Sequence, residues 1–315
     1  MNTVFSASQW LKQLNADGSS VGLPELLWYQ RHTKVLNLKP TISIQSKLAG
    51  TYLARSKGRG MEFDEVRHYQ PGDDVRTIDW RVTARSGKVH TKLFREEKER
   101  PVFIVTDLTD SMRFGSSLLF KSVQAAHLAA VIAWHVKQHG DKLGGLVFSN
   151  QQHRELKPQG RSHGVLRYLQ ALQQCHHSAA QSNGLTLSQA LGQQRRLSRP
   201  GSLVYILSDF NQLDEQALRH IRAISQHNEV TCCQISDPLE LALPQAARGI
   251  AAIRNQQQVV SAELADPRLR LRYQQQQQQQ QSKLALTLQQ VGCKWLDISA
   301  GAPIISQLEQ IHHGR

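Results

Sequence analysis

From about residue 100 onward, unbroken apolar runs alternate with segments whose apolar residues recur at helical spacing. The first pattern predicts strands buried on both faces, and the second predicts amphipathic helices. Strands are predicted at 102–105, 143–149, 202–207, 229–236 and 293–299, with a short edge strand at 151–158. Helices are predicted at 118–139, 164–174, 185–197, 214–227, 268–291 and 303–312. This alternation predicts an α/β fold with a doubly wound, mostly parallel sheet flanked by helices.

The N-terminal part of the chain has a weaker pattern. Short helices are predicted at 8–14 and 23–29, strands at 35–44 and 89–94, and a later β-hairpin at 249–253 and 259–260. The first of these strands contains Pro40, which favours an edge position. We therefore predict a smaller, β-containing extension at residues 1–98 and an α/β domain at residues 99–315. In that domain, the pair Gly144-Gly145 within a strand predicts the close approach of a neighbouring element.

Oxygen-bearing side chains cluster where the strand at 102–105 ends. Asp107, Thr109 and Ser111 are two residues apart, and ligands of open α/β sheets bind beyond the carboxyl ends of the strands. One carboxylate and two hydroxyls suit a hard divalent cation such as Mg²⁺ that keeps several waters. The same residues are also favoured at turns and helix N-caps, and the spacing leaves both interpretations open. The strand at 202–207 repeats the pattern, because it is followed by Ser208-Asp209.

Residues 58–88 are dense in Arg, Asp and Gly, with single apolar residues between them. Their charges nearly balance, which favours a network of ion pairs that stabilises the segment. The alternative is a polar recognition surface, and both interpretations stay open. The residues that would form such a partner-binding surface are Arg67, Tyr69, Asp73, Asp74, Arg76, Asp79, Trp80 and Arg85.

Composition narrows the classes of function. The chain has 38 Lys and Arg against 25 Asp and Glu, a net charge of +13, which indicates an anionic partner. Nucleic acid is the less favoured one, because the basic residues are spread over the chain and aromatic residues are only 6%. No apolar run reaches the length of a membrane span, and no secretory signal is recognisable at the N-terminus, so a cytoplasmic location is expected.

The Arg/Asp-rich segment resembles a known family. The residues that carry the resemblance are Gly60, Glu62, Phe63, Arg67, Tyr69, Gly72, Asp73, Asp74, Arg76, Ile78, Asp79, Trp80, Ala84 and Arg85, followed by the Asp107 loop. In this order they resemble domain-of-unknown-function family 58, over about residues 35–240. Members of that family are similar to von Willebrand factor type A domains with an N-terminal extension. The resemblance therefore implies that fold for this chain.

The resemblance also implies a metal-ion-dependent adhesion site. In the type A fold this site is built from Asp-x-Ser-x-Ser after the first strand, a Thr from a middle loop and an Asp after the fourth strand. Carried over to this sequence, the ligands of Mg²⁺ or Mn²⁺ are Asp107, Thr109, Ser111 and Asp209, with Thr109 in place of a serine. For the middle loop, Ser162 is the nearest available match.

The function implied by the resemblance is recognition of another protein. A carboxylate from an acidic partner would complete the coordination of the metal. Members of the family are commonly associated with MoxR-type AAA+ ATPases and with other von Willebrand factor A-like proteins. The chain is therefore expected to be a non-enzymatic adaptor in chaperone-like assembly or maturation of other proteins. The alternatives are a basic nucleic-acid-binding protein and a metal-dependent hydrolase, although no general base is evident beside the site.

Overall fold

The computed structural model describes residues 7–32, 61–96, 99–177, 184–244, 250–255, 258–263 and 266–313. The chain divides into two compact units, a larger one of residues 1–41 with 100–315 and a smaller one of residues 42–99. Trp10, Leu14, Leu26 and Tyr29 are buried in the core of the larger unit. The first two helices therefore belong to the larger unit, whereas the sequence placed them in one extension with residues up to 98.

The described elements alternate between strands and helices over most of the chain. In chain order they are α1 (Ala7–Leu14), α2 (Leu23–Trp28), β1 (Met61–His68), α3 (Trp80–Ser86), β2 (His90–Glu96), β3 (Pro101–Asp107), α4 (Lys121–Gln138), β4 (Lys142–Phe148), β5 (His153–Gln159), α5 (Arg161–His177), α6 (Leu187–Leu197), β6 (Leu203–Ser208), α7 (Glu215–Ser225), β7 (Glu229–Ser236), α8 (Pro238–Leu241), β8 (Ile250–Asn255), β9 (Gln258–Glu263), α9 (Pro267–Gln290), β10 (Lys294–Ser299) and α10 (Ile304–His313).

The larger unit is built on a six-stranded sheet of order β10-β7-β6-β3-β4-β5. Every neighbouring pair is parallel except β4 and β5, which are antiparallel. The predicted α/β fold class with a mostly parallel sheet flanked by helices is therefore confirmed. Strands β3 and β6 lie at the centre, so their carboxyl ends are side by side.

The side chains of β3 divide between the two faces of the sheet. Val102 and Ile104 belong to the core that includes α4, and Phe103 and Val105 belong to a second core that includes residues of α6 and α7. This alternation follows from the period of two residues in a strand. It explains why a strand buried on both faces has an unbroken apolar sequence.

The smaller unit contains β1, α3 and β2. Strands β1 and β2 pair antiparallel, and Asp79 caps α3 by accepting hydrogen bonds from the backbone N–H groups of Arg81 and Val82. The sequence predicted β2 at 89–94 but did not predict β1 or α3. The predicted strand at 35–44 lies outside the described residues.

Elsewhere the predicted helices and hairpin are present with small shifts in their ends. Strands β8 and β9 form the predicted hairpin, and α9 contains the glutamine tract 274–281. Helix α8 was not predicted. Among the described residues, no helix combines the length and the apolar character that a membrane crossing requires.

Candidate functional site at the carboxyl edge of the sheet

The loop after β3 brings three of the predicted site residues together. The backbone N–H and the hydroxyl of Thr109 both donate to Asp107 Oδ1, at 2.9 and 2.7 Å. The hydroxyl oxygen of Ser111 lies 3.4 Å from that of Thr109. Asp107 is only 2% exposed, whereas Ser111 is half-buried. The loop therefore places the half-buried hydroxyl of Ser111 beside the buried hydroxyl of Thr109, which in turn contacts the buried Asp107 carboxylate.

The fourth predicted residue, Asp209, follows the neighbouring strand β6. Ser208 joins the two strand ends, because its hydroxyl donates to Asp107 Oδ2 at 2.6 Å. Asp209 accepts two hydrogen bonds from Asn211, one from the backbone N–H at 3.0 Å and one from the side-chain amide at 2.8 Å. Asp107, Thr109, Ser111 and Asp209 thus lie at one edge of the sheet, as their positions after parallel strands predict.

A buried lysine that the sequence analysis overlooked completes this cluster. Lys121 is the first residue of α4, and its Nζ lies 2.9 Å from Asp209 Oδ2 and 2.6 Å from Glu240 Oε1. The Lys121 side chain has no solvent exposure. Burial opposes the charged form, but the charges of Asp209 and Glu240 outweigh it and raise the pKa of Lys121 above its ordinary value. Asp209 therefore faces a permanent ammonium group.

A second polar contact holds the loop that leads to α4. The backbone N–H of Ser116 donates to Asp237 Oδ2 at 2.8 Å, and its hydroxyl donates to the other oxygen of the same carboxylate. Asp237 also caps α8 by accepting from the N–H of Leu239, while its own N–H donates to Glu240 at 3.0 Å. The loop after β3 is thereby connected to the end of β7, and Glu240 is held near Lys121.

Asp107 has an unusual acidity. Burial, and secondarily the negative charge of Asp209, raise the pKa of Asp107 to about 6. Hydrogen bonds from Ser208 and Thr109 act in the opposite direction but do not cancel these effects. At neutral pH the edge therefore holds an ionised carboxylate at an energetic cost that a nearby cation would reduce.

The prediction that Ser162 belongs to the site is wrong. Strand β5 runs antiparallel to β4, so that Gln159 pairs with Leu143 at the amino end of β4. Asp107, in contrast, pairs with Phe148 at its carboxyl end. Ser162 follows β5 and therefore lies at the opposite edge of the sheet.

The loop before α6 lies at the same edge of the sheet as Asp107. The N–H of Leu185 donates to the backbone oxygen of Ser149, which follows β4, at 3.0 Å. This loop carries Thr186, whose hydroxyl accepts from the N–H of Gln189 and caps α6. A threonine followed three residues later by glutamine, directly before an apolar helix, is the sequence signal that could have located this hydroxyl.

His176, near the end of α5, makes the stability of the fold depend on pH. Burial, and secondarily the positive charges of His177 and Arg113, lower the pKa of His176 to about 4. Because this folded-state pKa lies below the unfolded value, neutral His176 stabilises the fold above about pH 6.5. That contribution is lost as the pH falls toward 4, because His176 binds a proton more tightly in the unfolded chain than in the folded one.

We expect the substitution His176→Gln to reduce acid destabilisation. Between pH 7.5 and 4.5 the wild type should lose about 2–3 kcal/mol more of its free energy of unfolding than the variant. Urea denaturation at both pH values measures the difference. His163→Gln, which changes an exposed histidine of α5, is the control and should behave like the wild type. Equal losses in the wild type and His176→Gln would contradict the assignment.

Comparison with known sequences gives one family and several relatives. The sequence profile of the family described as "Protein of unknown function DUF58" matches residues 65–283. Uncharacterized protein Rv1480 of Mycobacterium tuberculosis is 30% identical over 277 residues, which are 87% of this chain and 82% of the relative. Uncharacterized protein Mb1516 of Mycobacterium bovis matches with the same identity and coverage.

Similar solved structures include three bacterial proteins. The conserved hypothetical protein BatB from Bacteroides thetaiotaomicron aligns with a TM-score of 0.40 at 14% identity, over 68% of this chain and 99% of that chain. An aerotolerance-related membrane protein from Bacteroides fragilis has a TM-score of 0.43 at 14% identity, over 68% and 97%. A von Willebrand factor type A protein from Catenulispora acidiphila has a TM-score of 0.32 at 14% identity, over 47% and 35%. No residue role in this chain follows from likenesses of this size.

Proposed function

This chain belongs to the DUF58 family, and from that premise we propose that it is a non-enzymatic protein-interaction module. Its recognition site is the carboxyl edge of the large sheet, and Mg²⁺ takes part in binding. The observation that carries the proposal is the pair of hydroxyls of Thr109 and Ser111, which lie 3.4 Å apart, the former in contact with the buried Asp107. Such a set binds a partner group rather than transforming it.

The residues at this edge fit a weakly held hard cation. Hydroxyl and carboxylate oxygens are ligands of Mg²⁺, which also keeps several waters. Thr109 and Ser111 are the residues that would hold the ion, and Asp107 and Asp209 would balance its charge. Asp209 is the poorer direct ligand, because its Oδ2 already contacts the ammonium of Lys121. When bound, the ion supplies a Lewis-acidic position for a carboxylate of the partner.

The hydrogen bonds of the carboxylates support a binding role. Both oxygens of Asp107 accept hydrogen bonds, from Thr109 and from Ser208. Both oxygens of Asp209 are also occupied, by Asn211 and Lys121. Each carboxylate has about four lone pairs, and three of them already accept hydrogen bonds, which disfavours a role as general base. We therefore favour recognition over hydrolysis.

The partner that we propose is an acidic protein of the AAA+ class. The net charge of +13 favours encounter with an acidic surface. The resemblance to proteins associated with MoxR-type ATPases supports an adaptor role in the assembly or maturation of other proteins. We place this activity in the cytoplasm, where other von Willebrand factor A-like proteins would join the same assembly.

The test compares the double substitution Thr109→Val/Ser111→Ala with the wild type. Calorimetric titration with Mg²⁺ should give saturable binding to the wild type and none to the variant, because both hydroxyl ligands are removed at nearly unchanged volume. Retention of the chain by an immobilised MoxR-type ATPase should fall about tenfold in the variant and on addition of EDTA.

Ser116→Ala is the matched control, because Ser116 lies on the same loop but contacts Asp237 instead. It should bind Mg²⁺ and the ATPase as the wild type does. Unchanged ATPase retention in the double variant would refute the carboxyl edge as the interaction site. If the wild type binds Mg²⁺ but is not retained by the ATPase, the ion site is supported and the proposed partner is refuted.

A further inference from the structure

The smaller unit exposes large apolar side chains. Trp80, the first residue of α3, is 68% exposed, and Val75, in the 3₁₀ turn Val75–Thr77, is 61% exposed. Tryptophan is highly buried on average in folded proteins, so its exposure at this level needs an explanation. Val75 and Trp80 are five residues apart in one segment with exposed polar residues around them, an arrangement that suits a protein interaction site.

The geometry of α3 places cations beside the tryptophan. At about 100° per residue, Trp80, Arg81 and Arg85 lie within one arc of the helix, and all three are exposed. The opposite side faces β2, since the hydroxyl of Thr83 accepts a hydrogen bond from the backbone N–H of His90 at 3.1 Å. The exposed face of α3 therefore combines one aromatic ring with two guanidinium groups.

Three acidic residues close to α3 in the sequence make contacts within the unit. Asp73 pairs with Arg67 at 2.7 Å, and Asp79 caps α3 and lies 3.7 Å from Lys92. Asp74 accepts a hydrogen bond from the N–H of Arg76. In contrast, four exposed basic residues form no ion pair within the described part of the chain: Arg76, Arg81, Arg85 and Lys88. These four cations outnumber Asp74, an exposed carboxylate of the same segment, so the exposed charge around α3 is positive.

These contacts separate the predicted partner-binding residues into two groups. Arg67, Asp73, Asp74 and Asp79 stabilise the local fold, as does Tyr69, whose hydroxyl donates to the backbone oxygen of Asp73 at 3.3 Å. The residues whose side chains remain available are Arg76, Trp80 and Arg85, to which the structure adds Val75 and Arg81.

We propose that Val75, Arg76, Trp80, Arg81 and Arg85 form a docking surface for an acidic protein segment that carries apolar side chains. Tryptophan and arginine are the residues that most often dominate the energy of protein interfaces. Their positive charge complements acidic side chains, and the apolar side chains of the segment would cover Trp80. This basic-aromatic surface lies in the smaller unit, so it goes beyond the carboxyl-edge site.

Two other occupants fit the observations less well. A second copy of the chain would bring a further charge of +13 to a basic surface, which is repulsive. Single-stranded nucleic acid is bound by successive aromatic residues along a basic groove, whereas this surface has one exposed ring. Both occupants are outcomes of the experiment described next.

The experiment measures fluorescence anisotropy of a labelled synthetic peptide with the repeated sequence Glu-Glu-Leu-Phe, added to the full chain. Trp80→Ala and Arg81→Gln/Arg85→Gln should each raise the Kd about tenfold. A peptide in which glutamine replaces every glutamate should bind at least tenfold more weakly than the acidic one. Thermal unfolding of each variant should match the wild type, because the substituted side chains are exposed.

The controls change equally exposed residues of the larger unit. Leu286→Ala removes an apolar side chain that is 58% exposed, and Arg219→Gln/Arg222→Gln removes two exposed cations of α7. Both should leave the Kd of the peptide unchanged. The double substitution Thr109→Val/Ser111→Ala should also leave it unchanged, so that failure of this proposal and failure of the carboxyl-edge site are distinguishable.

Three results would overturn the proposal. The first is a peptide Kd that Trp80→Ala does not change. The second is tighter binding of oligodeoxythymidine than of the acidic peptide, lost in the same variants, which would make this a nucleic-acid surface. The third is self-association of the wild type in sedimentation that is lost in Trp80→Ala, which would identify a second copy as the occupant.

Discussion

Replacing Gly145 with alanine is expected to lower the free energy of unfolding by on the order of 3–5 kcal/mol. Gly145 pairs with Ile104 in the parallel register of β4 and β3, and its φ is +151°. A Cβ at this position would overlap the backbone atoms of Ile104, which cannot rotate away. Because domains are stable by only about 5–15 kcal/mol, we expect a poor soluble yield and a much lower urea midpoint.

Gly140→Ala is the matched control for this substitution. Gly140 also has a positive φ of +75°, but a Cβ there would have no heavy atom within 4 Å. The control should cost only the backbone strain of about 1–2 kcal/mol. If urea denaturation gives the same cost for both variants, the close approach of β3 is not the reason for glycine at 145.

The glycine pair illustrates what can be predicted from the sequence. Gly144 and Gly145 inside an apolar strand predicted the close approach of a neighbouring element, and the closeness of Gly145 to the backbone of Ile104 in β3 confirms it. The fold class could be predicted for a similar reason, because the periods of strands and helices are local properties of the chain. The positions of Asp107 and Asp209 followed from the rule that parallel strands end at the same edge.

Ser162 was placed wrongly although the sequence held the information to avoid it. The connection from Phe148 to His153 is too short for a crossover, which needs a dozen or more residues. Strand β5 therefore had to be antiparallel to β4, and any residue after β5 had to lie at the opposite edge.

Lys121 could not be assigned from the sequence. A lysine at the start of a predicted helix is normally solvated, and nothing local indicates that its partners are Asp209 and Glu240, which lie 88 and 119 residues away. The same limit applies to the Arg/Asp-rich segment, where ion pairs such as Arg67–Asp73 are present and the recognition surface stays a proposal. Only the tertiary structure shows that Asp73 forms an ion pair with Arg67 whereas Arg85 is exposed.

Lys121→Met is expected to destabilise the fold by about 3–5 kcal/mol. Methionine keeps most of the volume of the side chain but removes the ammonium group. Asp209, which is 5% exposed, would then be a buried carboxylate without its cation, whereas Glu240, with a side chain 34% exposed, could still be hydrated. The loss therefore arises mainly from Asp209.

Two further variants isolate that cause in urea denaturation. Lys121→Met/Asp209→Asn replaces the pair by neutral residues and should recover most of the lost stability, since neutral replacement of a buried ion pair is often tolerated. Lys294→Met removes a lysine that is 41% exposed and paired with Glu229, and it should cost about 0–1 kcal/mol. A cost for Lys121→Met no greater than for Lys294→Met would contradict a charged pair of Lys121 and Asp209.

The same variants connect stability to the proposed ion. In the wild type, Lys121 already balances the charge of Asp209, so added Mg²⁺ should raise the unfolding temperature only slightly. In Lys121→Met, Asp209 is released as a ligand at the same edge of the sheet as Thr109, and Mg²⁺ should stabilise the variant more than the wild type. The effect should be absent from Lys121→Met/Asp209→Asn, because the released carboxylate is then missing. Equal stabilisation of all three proteins by Mg²⁺ would mean that the ion binds away from Asp209.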